Sequence, residues 1–438
     1  MSDTSPPTTL IIRNARVVTS PGAAGSAVRG EALGELDITE RADVTITAGR
    51  ITKVTKKGIK GPRDQGIKKS GTSDSPPSSR SLDPSMPRSL SSEIDAAGRV
   101  LMAGFVDCHT HACWAGSRLD EWDQKRRGVP YLKILAAGGG IMATVRAVRD
   151  ASLATLTDLL LERVNRMLAL GSTTIEVKSG YGLNTETELK MLRAVRAAQE
   201  RFPGTLIPTA LLGHAIDDTQ PGFVGRVIRE TLPVVAAEFP GIAVDAYVEK
   251  GAWSVDQALL LFARARDLHL PIRVHADQFN SLGMVPAAIK LGARSIDHLE
   301  ATTRGDLDAL AESDTFGVML PACGFHLKAA YARGSHFTQH AKGGKLCIAT
   351  NFNPGSAPCP SMAMTIAIAV RHLGLSPQEA ITAATANPAS LLGLNDRGRV
   401  AVGQRGDLLL LRESDERSVA FGFGDSQLER VICGGKII

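Results

Sequence analysis

Aromatic residues are scarce in this chain: phenylalanine, tyrosine and tryptophan together make up 4% of 438 residues. Base stacking needs such rings, which weakens any single-stranded nucleic-acid model. Cysteine is rarer still. Six are present and no two form a C-x-x-C pair, which excludes a disulfide scaffold and makes a reducing, cytoplasmic setting the expectation. No run of about 18 apolar residues occurs, so no transmembrane helix is expected. Residues 1–9 lack the basic-then-apolar order of a secretory leader.

Charge imbalance is also missing from most of the chain. The net charge is +5, and the stretch from Lys56 to Ser92 alone holds eight basic and three acidic residues. The rest is neutral, whereas a nucleic-acid protein spreads basic residues over a folded face. Neither nucleic acid nor a membrane is therefore an expected partner. The same stretch carries ten Ser, five Pro and four Gly. It cannot bury enough apolar surface to offset its chain entropy, so residues 56–92 read as a disordered insert.

Apolar residues make up 43% of the chain, enough for a large core. Near the N-terminus, Leu10–Ile12 and Val17-Val18 flank the turn-like Arg13-Asn14. Val44–Thr47 and Ile51–Val54 flank Ala48-Gly49-Arg50. Both pairs read as hairpins. Leu408–Leu411 and Val431-Ile432 add short strands at the far end. These segments predict a small β-sandwich-like domain built from both termini, 1–102 and 393–438.

Between them, over 103–392, strand-like runs alternate with amphipathic helices. The candidate strands are Gly104–Cys108, Thr173–Val177, Thr205–Leu212, Ile242–Val248, Ile272–Val274, Ser295–Asp297, Gly317–Leu320 and Leu346–Thr350. Helix signals separate them: a capping box at Thr185–Glu188, a C′ glycine at Gly171, and Ser376-Pro377-Gln378-Glu379. Eight strands with helices between predict an α/β fold of the (β/α)8 type. A doubly wound sheet is the alternative, but no glycine-rich dinucleotide fingerprint follows the first strand.

Five of the ten histidines, His109, His111, His214, His275 and His298, fall at or just past strand C-termini, the rim where barrel sites form. In extended chain, residues i and i+2 share a side, so His109 and His111 can meet one metal ion. Cys108 should point away from them and read as a core thiol. His326, His336 and His340 lie in a polar stretch and are expected in solvent.

Gly104–His111 resembles the first-strand signature of the amidohydrolase superfamily of metal-dependent barrel hydrolases. Within it the chain is similar to the imidazolonepropionase family, through Gly138–Ile141, Glu176–Leu183, Glu186–Leu192, Val274–Gln278, Asp297–Glu300 and Asn353–Gly355. The resemblance covers almost everything but the insert. It implies a hydrolase that opens the ring of 4-imidazolone-5-propanoate to N-formimino-L-glutamate in histidine degradation. One divalent ion, zinc or iron, would be held by His109, His111, His275 and a fourth ligand at Asn351. Catalysis would rest on His298, Gln278 and Asn351. The substrate would be met by Arg118, as clamp for the propionate, and by Tyr131, Tyr181, His214, Gln278, Asn353, Gly355 and Ser356. A homodimer would be usual. For Arg118 a salt bridge with Asp120 or Glu121 is the alternative reading.

One position departs from the pattern. The family has aspartate where Asn351 stands, and asparagine offers a neutral carbonyl oxygen that cannot take a proton. Two alternatives follow: a related amidohydrolase or deaminase acting on another cyclic amide, or a catalytically impaired ligand-binding relative.

Overall fold

The computed structural model describes residues 8–57, 91–130, 133 and 137–438. Its middle is a parallel sheet of eight strands: β6 (Phe105–Asp107), β7 (Ser172–Lys178), β8 (Thr205–Gly213), β9 (Ala243–Val248), β10 (Arg273–Ala276), β11 (Ser295–His298), β12 (Phe316–Met319) and β13 (Lys345–Ile348). They lie side by side in chain order, with helices in the connections. All eight expected strands are present within a few residues of their predicted limits. The seam between first and last strand is short: Thr110 bridges Phe352, Asn351 N donates to His109 O at 3.0 Å, and His111 N donates to Phe352 O at 3.0 Å. The barrel thus closes at the residues expected to hold a metal.

The helix Leu153–Ala169 shows how the outer layer attaches. Ser152 caps it by accepting from Thr155 N, and Leu156, Leu160, Val164, Met167 and Leu168 are buried along one face. Each such side chain contributes roughly 1.5–3 kcal/mol by leaving water. Gly171, at φ 97°, turns the chain into β7. The box at Ser376 forms as expected. The one expected at Thr185 does not: the cap is Asn184, which accepts from Thr187 N, and Glu188 turns inward instead. Three backbone N–H groups in the preceding loop, those of Gly180, Gly182 and Leu183, compete for that carboxylate and win it.

The chain ends build a second sheet from β1 (Thr9–Thr19), β2 (Asp37–Thr47), β3 (Arg50–Lys56), β4 (Ser91–Asp95), β5 (Val100–Ala103), β14 (Leu408–Leu411), β15 (Leu428–Cys433) and β16 (Lys436–Ile437). Its own apolar cluster includes Ile12, Val44, Ile46, Ile51, Leu101, Leu408 and Ile432. The hairpin at Ala48-Gly49 forms, both residues having positive φ. The one expected at Arg13-Asn14 does not. β1 runs straight through, with register shifts on either side of Ala15. Asn14 adopts φ 54° there and its amide bonds Asp95, so a bulge replaces the turn. Residues 58–90 of the expected insert, and Tyr131, lie outside the described residues. Among the described residues no helix is long and apolar enough to cross a membrane.

Candidate metal centre and active site

A band of charged side chains lies buried beneath the barrel mouth. Lys178 Nζ bonds Glu176 Oε1 at 2.8 Å and Asp245 Oδ2 at 2.9 Å. Arg273 bonds Asp297 Oδ2 at 2.7 Å and Ser295 Oγ at 2.9 Å, and approaches Glu176 at 3.4 Å. Burying five charges is tolerable only because each is paired and hydrogen-bonded. Burial opposes the ionisation of Asp245, yet His275, Lys178 and Arg273 hold its pKa well below the ordinary value. None of these five residues was given a role from sequence. The available signal was a charged residue inside an otherwise apolar strand, which occurs in β7, β9, β10 and β11.

Two carboxylates of this band reach upward. Asp297 Oδ2 lies 2.6 Å from His109 Nδ1, and Asp245 Oδ1 lies 3.0 Å from His275 Nδ1. Each fixes its ring with Nδ1 as donor, so Nε2 carries the free lone pair. His109 Nε2 is buried without a partner. His275 Nε2 and His111 Nε2 are 3.4 Å apart. Ligand atoms of all three rings fall within 4.8 Å of one another. Burial, followed by Lys178 for His109 and by His214 for His111, pushes both imidazoles well toward the neutral form. Neutral imidazoles whose ring nitrogens converge are a metal-binding arrangement. The fit extends to Asn351, whose Oδ1 is also buried and unpartnered. The structure therefore brings the three expected histidine ligands together, and Asn351 adjoins them through its backbone bond to His109 O.

Three rim residues hold left-handed backbone: Asp277 at φ 57°, His298 at 92° and Asn351 at 53°. For non-glycine residues this costs on the order of 1–3 kcal/mol each, and such strain gathers where side chains must be aimed. His298 Nδ1 meets Glu300 Oε1 at 3.2 Å. Its ring centroid lies 5.7 Å from that of His275 and 6.1 Å from that of His109. The Gln278 amide is already engaged: Oε1 accepts from Tyr247 at 2.8 Å and Nε2 donates to Cys323 Sγ at 3.2 Å.

On the β7–β8 side, His214 stacks on His111 with centroids 5.0 Å apart, and its Nδ1 is 3.0 Å from Gly180 O. Tyr181 is buried against it at 5.0 Å. The glycines flanking Tyr181 are sterically required. A Cβ on Gly180, at φ 108°, would sit 2.9 Å from His214 Nδ1, and one on Gly182 would sit 2.5 Å from Glu188 N.

Arg118 takes the alternative pairing in full. Its Nε and Nη2 grip Glu121, while Nη1 lies 3.3 Å from Thr144 Oγ1 and beside Gly355. Asn353 organises its own loop. Its Oδ1 accepts from Gly355 N and Ser356 N, and its Nδ2 donates to Asn351 O at 2.6 Å. Cys108 sits in an apolar cluster with Val318 and Cys347 as expected. His336, expected in solvent, is half-buried and bonded to Asp308 at 2.7 Å.

Comparison with known proteins accords with this geometry. Residues 100–438 match the model of the amidohydrolase family. An imidazolonepropionase of Herpetosiphon aurantiacus is 38% identical over 98% of this chain and 96% of its own length. One from Deinococcus deserti is 42% identical over 78% of this chain and 84% of its own. Among solved structures, a 5-methylcytosine deaminase from Klebsiella pneumoniae superposes with a TM-score of 0.69 at 16% identity, covering 98% of this chain and 97% of its own. Escherichia coli guanine deaminase gives 0.68 at 15%, covering 98% and 99%. At that identity the two deaminases share the fold alone.

Proposed function

This chain belongs to the amidohydrolase family and, within it, to the imidazolonepropionases, and from that premise we propose how its barrel mouth works. The reaction is hydrolysis of the ring amide of 4-imidazolone-5-propanoate to N-formimino-L-glutamate in histidine degradation. The observation that carries the reading is the convergence of three neutral imidazoles, two of them fixed by buried carboxylates.

His109, His111 and His275, with Asn351 as a weaker fourth, would hold one divalent ion, zinc or iron. When bound, such an ion supplies Lewis acidity that lowers the pKa of a coordinated water from ~15.7 toward ~7. Glu300 orients the His298 ring through Nδ1, leaving Nε2 to take the proton of the attacking water. Water oxygen adds to the ring carbonyl carbon, the C–N bond breaks, and that proton passes to the leaving nitrogen. His298 thus does the proton work that Asn351 cannot do.

The propionate would be met by the N–H groups of Arg118 that Glu121 leaves free, alongside Gly355 and Ser356. His214 and Tyr181 would form the wall against the ring, and Gln278, held by Tyr247, would fix its polar edge. Turnover of freshly prepared 4-imidazolone-5-propanoate, measured beside metal content, tests this reading. His111→Ala should lose both. A parent protein that carries metal yet leaves this substrate unchanged, while hydrolysing another cyclic amide, overturns the substrate assignment.

A further inference from the structure

The strand ends that carry the three-histidine cluster gather a second set of donors beside it. His298 closes β11, Glu300 follows two residues later, and Cys323 stands in the helix Pro321–Leu327 after β12. A ring nitrogen, a carboxylate oxygen and a thiol sulfur from these residues lie within 4.8 Å of one another. The His298 and Glu300 side chains are 3% and 6% exposed, and Cys323 is 1% exposed. Glu300 Oε1 faces His298 Nδ1, but Oε2 is buried without any partner. A buried carboxylate oxygen left bare is costly. The hydrolytic reading uses neither that oxygen nor the thiol.

We propose that His298, Glu300 and Cys323 form a second cation site, separate from the three-histidine site, that takes a thiophilic divalent ion of the zinc or cadmium type. A sulfur and an imidazole nitrogen discriminate against magnesium and calcium, which prefer all-oxygen shells. Three protein ligands leave the fourth tetrahedral position open. A thiolate and a carboxylate together bring two negative charges, which balance a dication away from water.

A thiol binds such an ion as its thiolate, and Cys323 is buried at the site. Binding must therefore expel its proton: the S–H bond gives way to a metal–sulfur bond and one proton leaves to solvent per ion. Gln278 Nε2, already donating to Sγ at 3.2 Å, is placed to stabilise the thiolate. An ion held here pins the His298 ring, so occupancy opposes turnover. That consequence rests on the role given to His298 above; the site itself does not.

The test uses metal-free full-length protein loaded with Co2+ alone and then with Cd2+. It reads ions per chain by elemental analysis and the thiolate-to-cobalt charge-transfer band. The parent should bind two ions per chain and show the band. Cys323→Ser should bind one ion and show none. Glu300→Gln should keep one ion and bind the other roughly tenfold or more weakly. His111→Ala should lose the three-histidine ion and keep the band. A parent that binds a single ion, or a band that persists in Cys323→Ser, overturns the proposal. So does a band lost in His111→Ala, because Cys323 would then serve the first ion in place of the missing carboxylate. If Cys323→Ser does not fold, Cys323→Ala and Glu300→Gln carry the same comparison. No ring hydrolysis by protein that carries the three-histidine ion alone would count against the proposed substrate and leave this site standing.

Discussion

Arg118 and Glu121 face each other fork to fork: Nε and Nη2 each lie 2.5 Å from one carboxylate oxygen. The same carboxylate accepts from Gly140 N at 2.9 Å and from Lys125 at 2.7 Å. It ties the loop after β6 to the start of the helix Ile141–Asp150 and sets the angle at which Arg118 presents its remaining donors. Arg118→Ala should weaken binding of a propionate-bearing substrate by roughly 2–4 kcal/mol, since a desolvated carboxylate loses its charged donor. An analogue without the carboxylate should bind parent and variant alike. Equal substrate affinity in both proteins would place Arg118 outside the pocket.

The pair also has a pH signature. Burial alone would raise the Glu121 carboxyl, but hydrogen bonds from Arg118 and Lys125 carry it from 4.5 down to about 2. A carboxylate whose folded pKa is depressed contributes stability that is fully present above its ordinary pKa. That contribution is lost as pH falls through the folded value. The parent should therefore lose thermal stability between about pH 4.5 and 2, and Glu121→Gln should show a smaller loss across the same window. Identical acid limbs in the two melting profiles would discard the pairing.

Asp297 and Asp245 each orient one histidine, and removing such a partner typically costs 10–100-fold in metal affinity. Asp297→Asn is the sharper test. The neutral amide keeps the shape but can present its N–H to His109 Nδ1 and reverse the tautomer. Metal competition against a chelator should show a loss on that scale. Because Arg273 then loses a charge partner in a buried band, the metal-free variant should also melt earlier. Unchanged metal retention would mean that His109 is not a ligand.

Much of this site was legible because its donors sit at strand ends. His109, His111, His275 and His298 stand out as polar residues at the close of apolar runs, and strand period alone puts the first two on one side. The supporting charges were harder to read. Glu176, Lys178 and Arg273 stand inside strands, where one sequence does not say which charge will meet which. The pairing of Lys178 with Asp245 spans 67 positions. Local competition explains the other differences. At Thr185 the capping signal was genuine chemistry, but three loop N–H groups outbid the helix for Glu188. At Arg13-Asn14 the dipeptide permits a turn, yet pairing of β1 with β2, β4 and β5 keeps the strand straight through a bulge.

The register of the small sheet sets a length for any replacement of the insert. β3 ends at Lys56 opposite Ala42, which pairs with Ala15, while β4 begins at Ser91 opposite Thr9. The two ends are thus three strand spacings and about six residues apart, roughly 25 Å. A chain covers at most ~3.5 Å per residue, so about eight residues are the minimum bridge. Replacing 58–90 with a twelve-residue Gly/Ser linker should leave metal binding and turnover near parental levels, because loop shortening changes closure entropy by only about 0.6 kcal/mol per halving. A three-residue bridge should detach β4 and lower the melting temperature. If the twelve-residue variant folds but loses turnover, the insert has a part in catalysis.

Asn351 is where the site can be pushed furthest. Its Oδ1 is buried and unpartnered, its N–H holds the barrel seam through His109 O, and its backbone is left-handed. Aspartate has the same shape and tolerates that backbone region as well as asparagine does, so Asn351→Asp changes charge with little steric cost. Without metal the new carboxylate is buried and unpaired, and the variant should melt below the parent. With zinc or iron the order should reverse, because tighter binding to the native state adds stability as RT ln(1 + [L]/Kd). Turnover should rise on the scale of 10²–10⁴-fold, the usual worth of a positioned general base. The gain should shrink when His298 is also changed to Ala if both residues act on one water. An apo melting point unchanged from the parent would show that the side chain does not face the cluster. A variant that binds metal more tightly but turns over no faster would assign proton transfer to His298 alone.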